Sequence, residues 1–222
     1  MGDIGMGRLN CHLLIILILS IVSPPTYGDN SEHWNDIGLS RQISSRFTIS
    51  LSNRSKFIDI PFNDIYNATA KLGIGIKAGR DFTISPSYRI DWIEKAVNDE
   101  YEHRYCLQFD YKKTLSNITL TLTQITELRY FTKASKDHVR LRLRMNVSKS
   151  IGKIANLPSS AYMTPEIFYD DNNDDFSRLR LYSGFDFTLR ESVSLRIGYI
   201  FQNEKGKPVI HILNSGLNFS IK

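Results

Sequence analysis

Three arginines at alternate positions, Arg140, Arg142 and Arg144, are the residues whose type and spacing most clearly suggest chemistry. Alternate residues of a β-strand point to one face of the sheet, so this spacing would align three guanidinium groups. A guanidinium binds carboxylate and phosphate through paired hydrogen bonds, and the stripe could therefore form a pocket or pore for an anionic group. The alternative is that these arginines form ion pairs that fix the register of neighbouring strands.

A hydrolytic site would need a nucleophile next to a base. On a strand, a serine two residues from a histidine would meet that need, because both side chains project from one face. The residues two positions after the four histidines from His33 onward are Asn35, Tyr105, Arg140 and Leu213, and none is serine. The spacing therefore disfavours a hydrolase.

Cofactor and metal motifs are not recognisable in the sequence. The acidic run Asp170–Asp175 lacks the glycine turn and the distal glutamate of an EF-hand calcium loop. There is no zinc-ligand spacing, phosphate-binding glycine loop or nucleotide fingerprint. The formal charge of +5 is compatible with an anionic partner, but no nucleic-acid-binding module is present. We predict no cofactor and no nucleic acid.

The N-terminal segment predicts export. An apolar run, Leu13–Val22, follows Arg8 and precedes Pro24 and Pro25. The run is too short for a membrane-spanning helix, which needs roughly 20 residues. Small residues before and at Gly28 complete the pattern of a signal peptide. We expect residues 1–28 to be a signal peptide cleaved after Gly28, and residues 29–222 to form one domain.

The rest of the chain alternates apolar and polar residues with the period of β-strands. Between Val139 and Val147 the apolar residues fall on one face and the three arginines on the other. Eleven segments have this character, and many are long enough to cross a bilayer at a tilt. The predicted strands are Trp34–Gln42, Arg46–Arg54, Asp64–Lys77, Phe82–Ile93, Glu102–Thr114, Ile118–Tyr130, His138–Ser150, Tyr162–Tyr169, Phe176–Leu189, Val193–Gln202 and Val209–Ile221.

The fold class that follows is all-β: a single antiparallel up-and-down transmembrane β-barrel of about 10–12 strands. Bacterial single-chain barrels have an even number of strands, so we expect ten or twelve and favour twelve. Either one strand near the N-terminus is still unread, or one of the eleven lies outside the barrel. Short turns alternate with longer polar loops, as in outer-membrane barrels; Ile151–Ala161 is an exception, a long connection where a tight turn is expected. Aromatic residues near strand ends predict girdles at the membrane interfaces. They are Trp34, Trp92, Tyr101, Tyr130, Phe131, Tyr169, Phe176, Phe201 and Phe219.

On a barrel, the polar face of each strand lines the lumen. The inward residues would include eleven cations and only five anions on the strands whose phase is clear. The cations are Lys71, Arg89, Arg104, Lys112, Arg129, Arg140, Arg142, Arg144, Arg178, Arg180 and Arg196, and the anions are Asp91, Glu102, Asp110, Glu127 and Asp186. This excess indicates either a register-fixing network of ion pairs or an anion-favouring lumen.

Five segments carry a resemblance to a known family. They are a Trp-containing start at His33–Ser40, strands at Arg46–Leu51, Lys71–Gly75 and Leu195–Tyr199, and a closing strand at Leu213–Phe219. Together they resemble a family of short bacterial outer-membrane β-barrels of unknown function. The resemblance covers nearly all of residues 30–222 and implies the fold and the location, but no catalytic residues.

We therefore expect an outer-membrane β-barrel that is a narrow anion-favouring channel or a structural barrel. The expected partners are outer-membrane lipid and lipopolysaccharide, the barrel-assembly machinery and a small anionic solute. Two alternatives stay open: a barrel enzyme acting on lipid or lipopolysaccharide, and a soluble secreted β-barrel or sandwich that binds a ligand.

Overall fold

A computed structural model describes residues 31–58, 64–95, 98–133, 136–171 and 175–221. The predicted signal peptide and its cleavage site after Gly28 lie outside the described residues, as does part of the acidic run Asp170–Asp175. None of the described segments is a helix long and apolar enough to cross a membrane.

Eleven strands of 12 to 17 residues make up the fold. They are β1 (Ser31–Gln42), β2 (Phe47–Ile58), β3 (Asp64–Lys77), β4 (Phe82–Ile93), β5 (Glu100–Leu115), β6 (Ile118–Phe131), β7 (His138–Ile154), β8 (Leu157–Asp170), β9 (Asp175–Arg190), β10 (Val193–Glu204) and β11 (Ile210–Ile221). Consecutive strands pair antiparallel, and β1 pairs with β11, so the sheet closes into a barrel. The predicted all-β barrel is confirmed.

The expectation of twelve strands was wrong. An odd number of up-and-down strands can close only if the first and last strands run parallel, and β1 and β11 do so from Ser31 opposite His211 to Arg41 opposite Ile221. This pairing leaves no gap in the wall for a twelfth strand. It also places Ser31 and Ile221 at opposite ends of the barrel.

Short and long connections alternate along the chain. We call the end with short connections the turn end and the other the loop end. The predicted long connection Ile151–Ala161 was wrong: β7 and β8 continue to a two-residue turn at Ala155 and Asn156. Both turn residues have positive φ, as a type I′ hairpin turn requires. A bulge near Gly152, which has φ +87°, disturbs the alternation there without ending β7.

The apolar face of each strand points outward. On β7, Leu143 is 53% exposed, whereas Arg140 is only 8% exposed. Aromatic rings are exposed on the barrel wall near both ends, for example Tyr130 at the loop end and Phe82 at the turn end. Trp34 was misplaced by the girdle prediction: its side chain faces the lumen and is 1% exposed, packed with Ile200 and Ile212. The phase of β1 puts it on the same face as Glu32 and Asp36.

Phe131 was also misplaced in the outer girdle. It lies in phase with Arg129, whose guanidinium carbon is 5.2 Å from the centre of the Phe131 ring. The same ring stacks on His138, with a centroid distance of 5.7 Å. Both misplaced aromatics lie near strand ends, where alternation leaves few neighbours from which to read the phase.

Two glycines allow a close approach inside the barrel. Gly184 on β9 pairs with Gly198 on β10, and the Tyr162 side chain of β8 lies over both. A Cβ on Gly184 would come within 2.2 Å of the Ile197 carbonyl oxygen and 2.9 Å of the Tyr162 hydroxyl. Glycine is therefore required at this position by packing rather than by its backbone angles.

Gly184→Ala should destabilise the barrel by about 1–3 kcal/mol, because the added methyl group overpacks a backbone contact. The loss would be measured as a lower urea midpoint for the folded band in heat-modifiability gels. Gly75→Ala is the matched control, since the nearest atoms to its new Cβ would be 3.8 Å away. Equal midpoints for the two variants would contradict the packing argument.

Candidate lumen site

The alternation of the strands brings the predicted inward charges into one lumen, where most of them form ion pairs. Arg142 of β7 donates from Nε to Glu166 of β8 at 3.0 Å and from Nη1 to Glu127 of β6 at 2.6 Å. Glu166 also accepts hydrogen bonds from Arg144 at 2.7 Å and from the Tyr182 hydroxyl at 2.8 Å. Its side chain is fully buried. Glu166 is therefore the carboxylate on which three strands converge.

A second group of ion pairs spans β4 to β6. Arg89 donates from Nε to Asp91 at 2.7 Å, and Arg104 lies 3.3 Å from the same carboxylate. Arg104 also donates to Glu102 at 2.7 Å, and Arg129 donates to Glu102 from the next strand. Asp91 and Glu102 are completely buried. These pairs link strands across the sheet and account for three of the cations that the sequence places in the lumen.

Further pairs lie towards the two ends. At the loop end, Arg140 donates to Asp170 at 2.5 Å. Arg178 pairs with Glu204 there. At the turn end, Arg196 donates to Asp186 at 2.7 Å, and this pair is more open, with 44% of the arginine side chain exposed.

Sequence reasoning missed several of these lumen charges. The missed anions include Asp36, Glu166, Asp170 and Glu204, and the missed cations are Arg54 and Lys56. Glu166 shares the inward phase of Tyr162, and that spacing is the signal that would have revealed it.

Two of the predicted lumen lysines lie outside the network. Lys71 is half-buried and forms no ion pair with any described residue. Lys112 is exposed near the turn end of β5. The structure thus brings the arginines together but not the lysines.

Two other cations have no carboxylate partner among the described residues. Lys56 of β2 lies over the Trp34 ring, with its ammonium nitrogen 4.8 Å from the ring centre. Arg180 of β9 reaches the same ring from three strands away, at 4.9 Å, and donates from Nε to the neutral Gln202 amide at 2.6 Å. Arg180 is 7% exposed. Neither side chain has a carboxylate within ion-pair distance among the described residues, although Arg180 lies opposite Glu166 on the neighbouring strand.

Both cations line a cavity of about 350 Å³ inside the barrel. Ten cations and three anions line it, together with the Trp34 and Phe168 rings. The Phe168 ring lies 4.8 to 5.6 Å from the guanidinium carbons of four arginines. The lining includes Lys207 and Ile210 beside the last long connection, so the cavity lies towards the loop end.

The cavity wall also contains polar atoms that have no hydrogen-bond partner among the residues that the structure describes. The Nε atom of Arg178 and the Oδ1 atom of Asn67 are both buried without one. Asn67 is 5% exposed, and its Nδ2 donates to the Trp92 carbonyl at 2.9 Å. One orphan donor and one orphan acceptor therefore line a cavity that is already rich in cations.

The outer face carries a serine and a histidine, Ser215 and His33, that lie close together in space but far apart in the sequence. Parallel pairing of β1 and β11 places Ser215 opposite Asn35, and its Oγ lies 3.4 Å from His33 Nε2. Asn35 Oδ1 accepts hydrogen bonds from Ser215 and, at 2.7 Å, from His33 Nε2. Because an amide oxygen only accepts, His33 Nε2 must carry the proton of this hydrogen bond. It therefore cannot act as a base towards the Ser215 hydroxyl. The group does not have the geometry of a nucleophile activated by a base.

Comparisons with known proteins identify a family but no characterised relative. A family model described as "Protein of unknown function (DUF2490)" matches residues 31–209. No curated protein matches the chain.

Several solved structures are similar to the chain at low sequence identity. The beta domain of the Bordetella autotransporter BrkA has 13% identity and a TM-score of 0.43, covering 74% of this chain and 77% of that one. OmpT, an outer membrane protein of Vibrio cholerae, has 9% identity and a TM-score of 0.41, covering 71% and 54%. The siderophore receptor PirA from Pseudomonas aeruginosa has 12% identity and a TM-score of 0.31, covering 78% and 35%.

Glu166→Gln should lower the free energy of unfolding by about 3–5 kcal/mol, because it leaves buried arginines without their shared carboxylate. Asp186→Asn is the matched control and should cost about 1 kcal/mol or less, since its partner Arg196 is largely exposed to solvent. Urea unfolding in detergent micelles, followed by gel mobility, measures both. Similar losses for the two variants would show that Glu166 does not hold the network together.

Proposed function

The chain belongs to the DUF2490 family of unknown function, and we propose that it is an outer-membrane β-barrel whose lumen binds a small anionic solute. The observation that carries the proposal is the cavity in which Lys56 and Arg180 have no carboxylate partner among the described residues. Anions are the natural ligands of such groups.

The outer surface supports a membrane location. Large apolar side chains are exposed around the wall, including Leu51 at 52%, Leu72 at 53%, Leu143 at 53% and Met163 at 50%. In water each Å² of such surface would cost roughly 25 cal/mol, whereas in a bilayer it faces lipid. Strands of 12 to 17 residues also exceed the about 9–11 needed to cross a membrane at a tilt. This surface disfavours the soluble alternative.

Outer-membrane barrels keep short turns in the periplasm and long loops outside. With that orientation the cavity would open towards the cell exterior, where lipopolysaccharide and external solutes are found. Insertion would require the barrel-assembly machinery, and the lipid partners would be the outer-membrane lipid and lipopolysaccharide around the wall.

The buried carboxylates of the lumen favour binding over conduction. Asp91, Glu102 and Glu166 are inaccessible to water, and Glu127 is 1% exposed, so side chains fill the space around them. An open channel would leave such carboxylates hydrated. The expected narrow anion-favouring channel is therefore less well supported than a barrel whose lumen holds an anion-binding cavity.

The membrane location predicts a depth-dependent penalty. Leu143→Arg places a charge at the middle of the lipid-facing wall and should cost about 2–4 kcal/mol, whereas Leu115→Arg at the turn end should cost about 1 kcal/mol or less. The amount of heat-modifiable protein in the outer-membrane fraction measures the effect. Equal tolerance of both charges, or recovery of the wild-type chain as a soluble periplasmic protein, would contradict the location.

Anion binding should depend on the two cations without carboxylates. With Trp92→Phe as background, Trp34 reports on the cavity, and titration with inorganic phosphate should change its fluorescence. Lys56→Gln and Arg180→Gln should each weaken binding roughly tenfold, because a charge-assisted hydrogen bond is lost. Lys71→Gln, which removes a lumen lysine outside the cavity lining, should leave it unchanged. Phosphate binding that is absent, or equally strong in all variants, would overturn the proposal.

A further inference from the structure

Polar side chains interrupt the apolar outer wall where β1 closes the barrel against β11. Five outward residues with amide, hydroxyl or imidazole groups are neighbours there, and we call them the seam patch: His33, Asn35, Asn53, Ser55 and Ser215. Asn35 is at its centre, since it lies opposite Ser215 on one side and Ser55 on the other. Ile37 and Leu51, which are in phase with the patch, are 57% and 52% exposed, so the patch is on the outer face.

The seam patch lies between the two membrane interfaces. On β2, Asn53 and Ser55 are flanked on the same face by Phe57 towards the loop end and by Phe47 at the turn end. Aromatic residues mark the interfaces of membrane barrels, and the wall between them faces acyl chains. Because acyl chains offer no hydrogen bonds, polar side chains at this depth are costly unless another protein surface covers them.

The seam patch also has hydrogen-bonding capacity that its own residues do not use. Asn35 Oδ1 accepts hydrogen bonds from His33 Nε2 at 2.7 Å and from the Ser215 hydroxyl, whereas Asn35 Nδ2 donates to none of the described residues. The Ser55 hydroxyl donates to Asn53 Oδ1 at 3.3 Å. Amides and hydroxyls are both donors and acceptors, so this patch can pair with a copy of itself, which a patch of like charges could not.

Small side chains beside the patch would let a second barrel approach closely. Ala68 and Ala70 of β3 lie opposite Ser55 and Asn53. Small residues have this role at interfaces between membrane-spanning segments, where polar side chains also form hydrogen bonds between partners. Two copies inserted in the same direction are related by a twofold axis along the membrane normal, so each residue meets residues at its own depth. The central Asn35 would then face its own copy.

We infer that the seam patch is the interface through which two copies of this chain associate in the membrane, with Asn35 near the twofold axis. The inference rests on the proposed membrane location and is independent of anion binding in the lumen. Another outward amide, Gln124 of β6, belongs to no comparable patch. It donates to Thr126 at 2.8 Å, and the residues opposite it on the neighbouring strands are Phe109 and Leu143.

The first test is sedimentation of the full chain folded in detergent micelles. The wild-type chain should sediment as a dimer, and Asn35→Leu combined with Ser55→Leu should weaken association by roughly tenfold or more, because hydrogen bonds between the copies are lost. Gln124→Leu is the matched control and should leave association unchanged. A monomeric wild-type chain, or a dimer that is equally strong in the double variant, would overturn the interface.

The second test uses disulfide formation in outer-membrane fractions, so that it does not depend on the folding of the leucine variants. In a chain carrying Cys11→Ser and Cys106→Ser, Asn35→Cys should give a linked dimer on oxidation with copper phenanthroline. Two cysteines near a twofold axis can reach the Cβ separation of about 3.5–4.5 Å that a disulfide needs. Thr126→Cys, on the outer face of β6, is the matched control and should stay monomeric.

The outcomes separate this interface from the membrane location. Folded Asn35→Cys chain that is recovered from the outer membrane without a linked dimer, or that is linked no better than Thr126→Cys, would overturn the interface while the location stands. Recovery of the chain as a soluble protein would overturn both. A linked dimer at Asn35 alone would support both.

Discussion

The pairing of inward arginines with carboxylates of neighbouring strands is the interaction on which this barrel depends. Strand alternation forces every second side chain into the lumen, and there a charge without a partner would be costly. Glu166 and Arg142 meet this constraint by joining β6, β7 and β8, while Asp91 and Glu102 join β4 to β6. Because each ion pair also fixes which residues lie opposite one another, the network that neutralises the lumen also sets the register of the wall.

The same constraint explains where a ligand site can arise. Most of the inward arginines are paired, and the carboxylates that pair with them are buried by the surrounding side chains. Among the described residues, Lys56 and Arg180 approach the Trp34 ring instead of a carboxylate, and both line the cavity. A cavity follows from that local shortage of anions. The residues that line the cavity face the lumen, not the lipid. The outer surface of the barrel therefore gives no information about the ligand.

The sequence predicted the features that depend on local alternation and missed those that depend on distant pairing. The inward orientation of Arg140, Arg142 and Arg144 can be predicted because their strand alternates regularly. Their partner carboxylates lie on other strands, where the alternation of apolar and polar residues is less clear. Glu166 follows Pro165, and Lys56 lies at a bulge of β2, so neither was read as inward. The strand number was misjudged because the parallel pairing of β1 with β11 joins residues about 180 positions apart, and nothing local reveals it.

The central claim is that buried ion pairs around Asp91, Glu102 and Glu166 obstruct the lumen and leave a cavity beside them towards the loop end. Conductance of the purified barrel in planar bilayers tests this most directly. The account predicts no sustained conductance steps at moderate voltage, because Glu166 and Asp91 are sealed from water. Stable, ohmic conductance by the wild-type chain would contradict it, since ions cannot pass through a lumen whose central charges are buried among side chains.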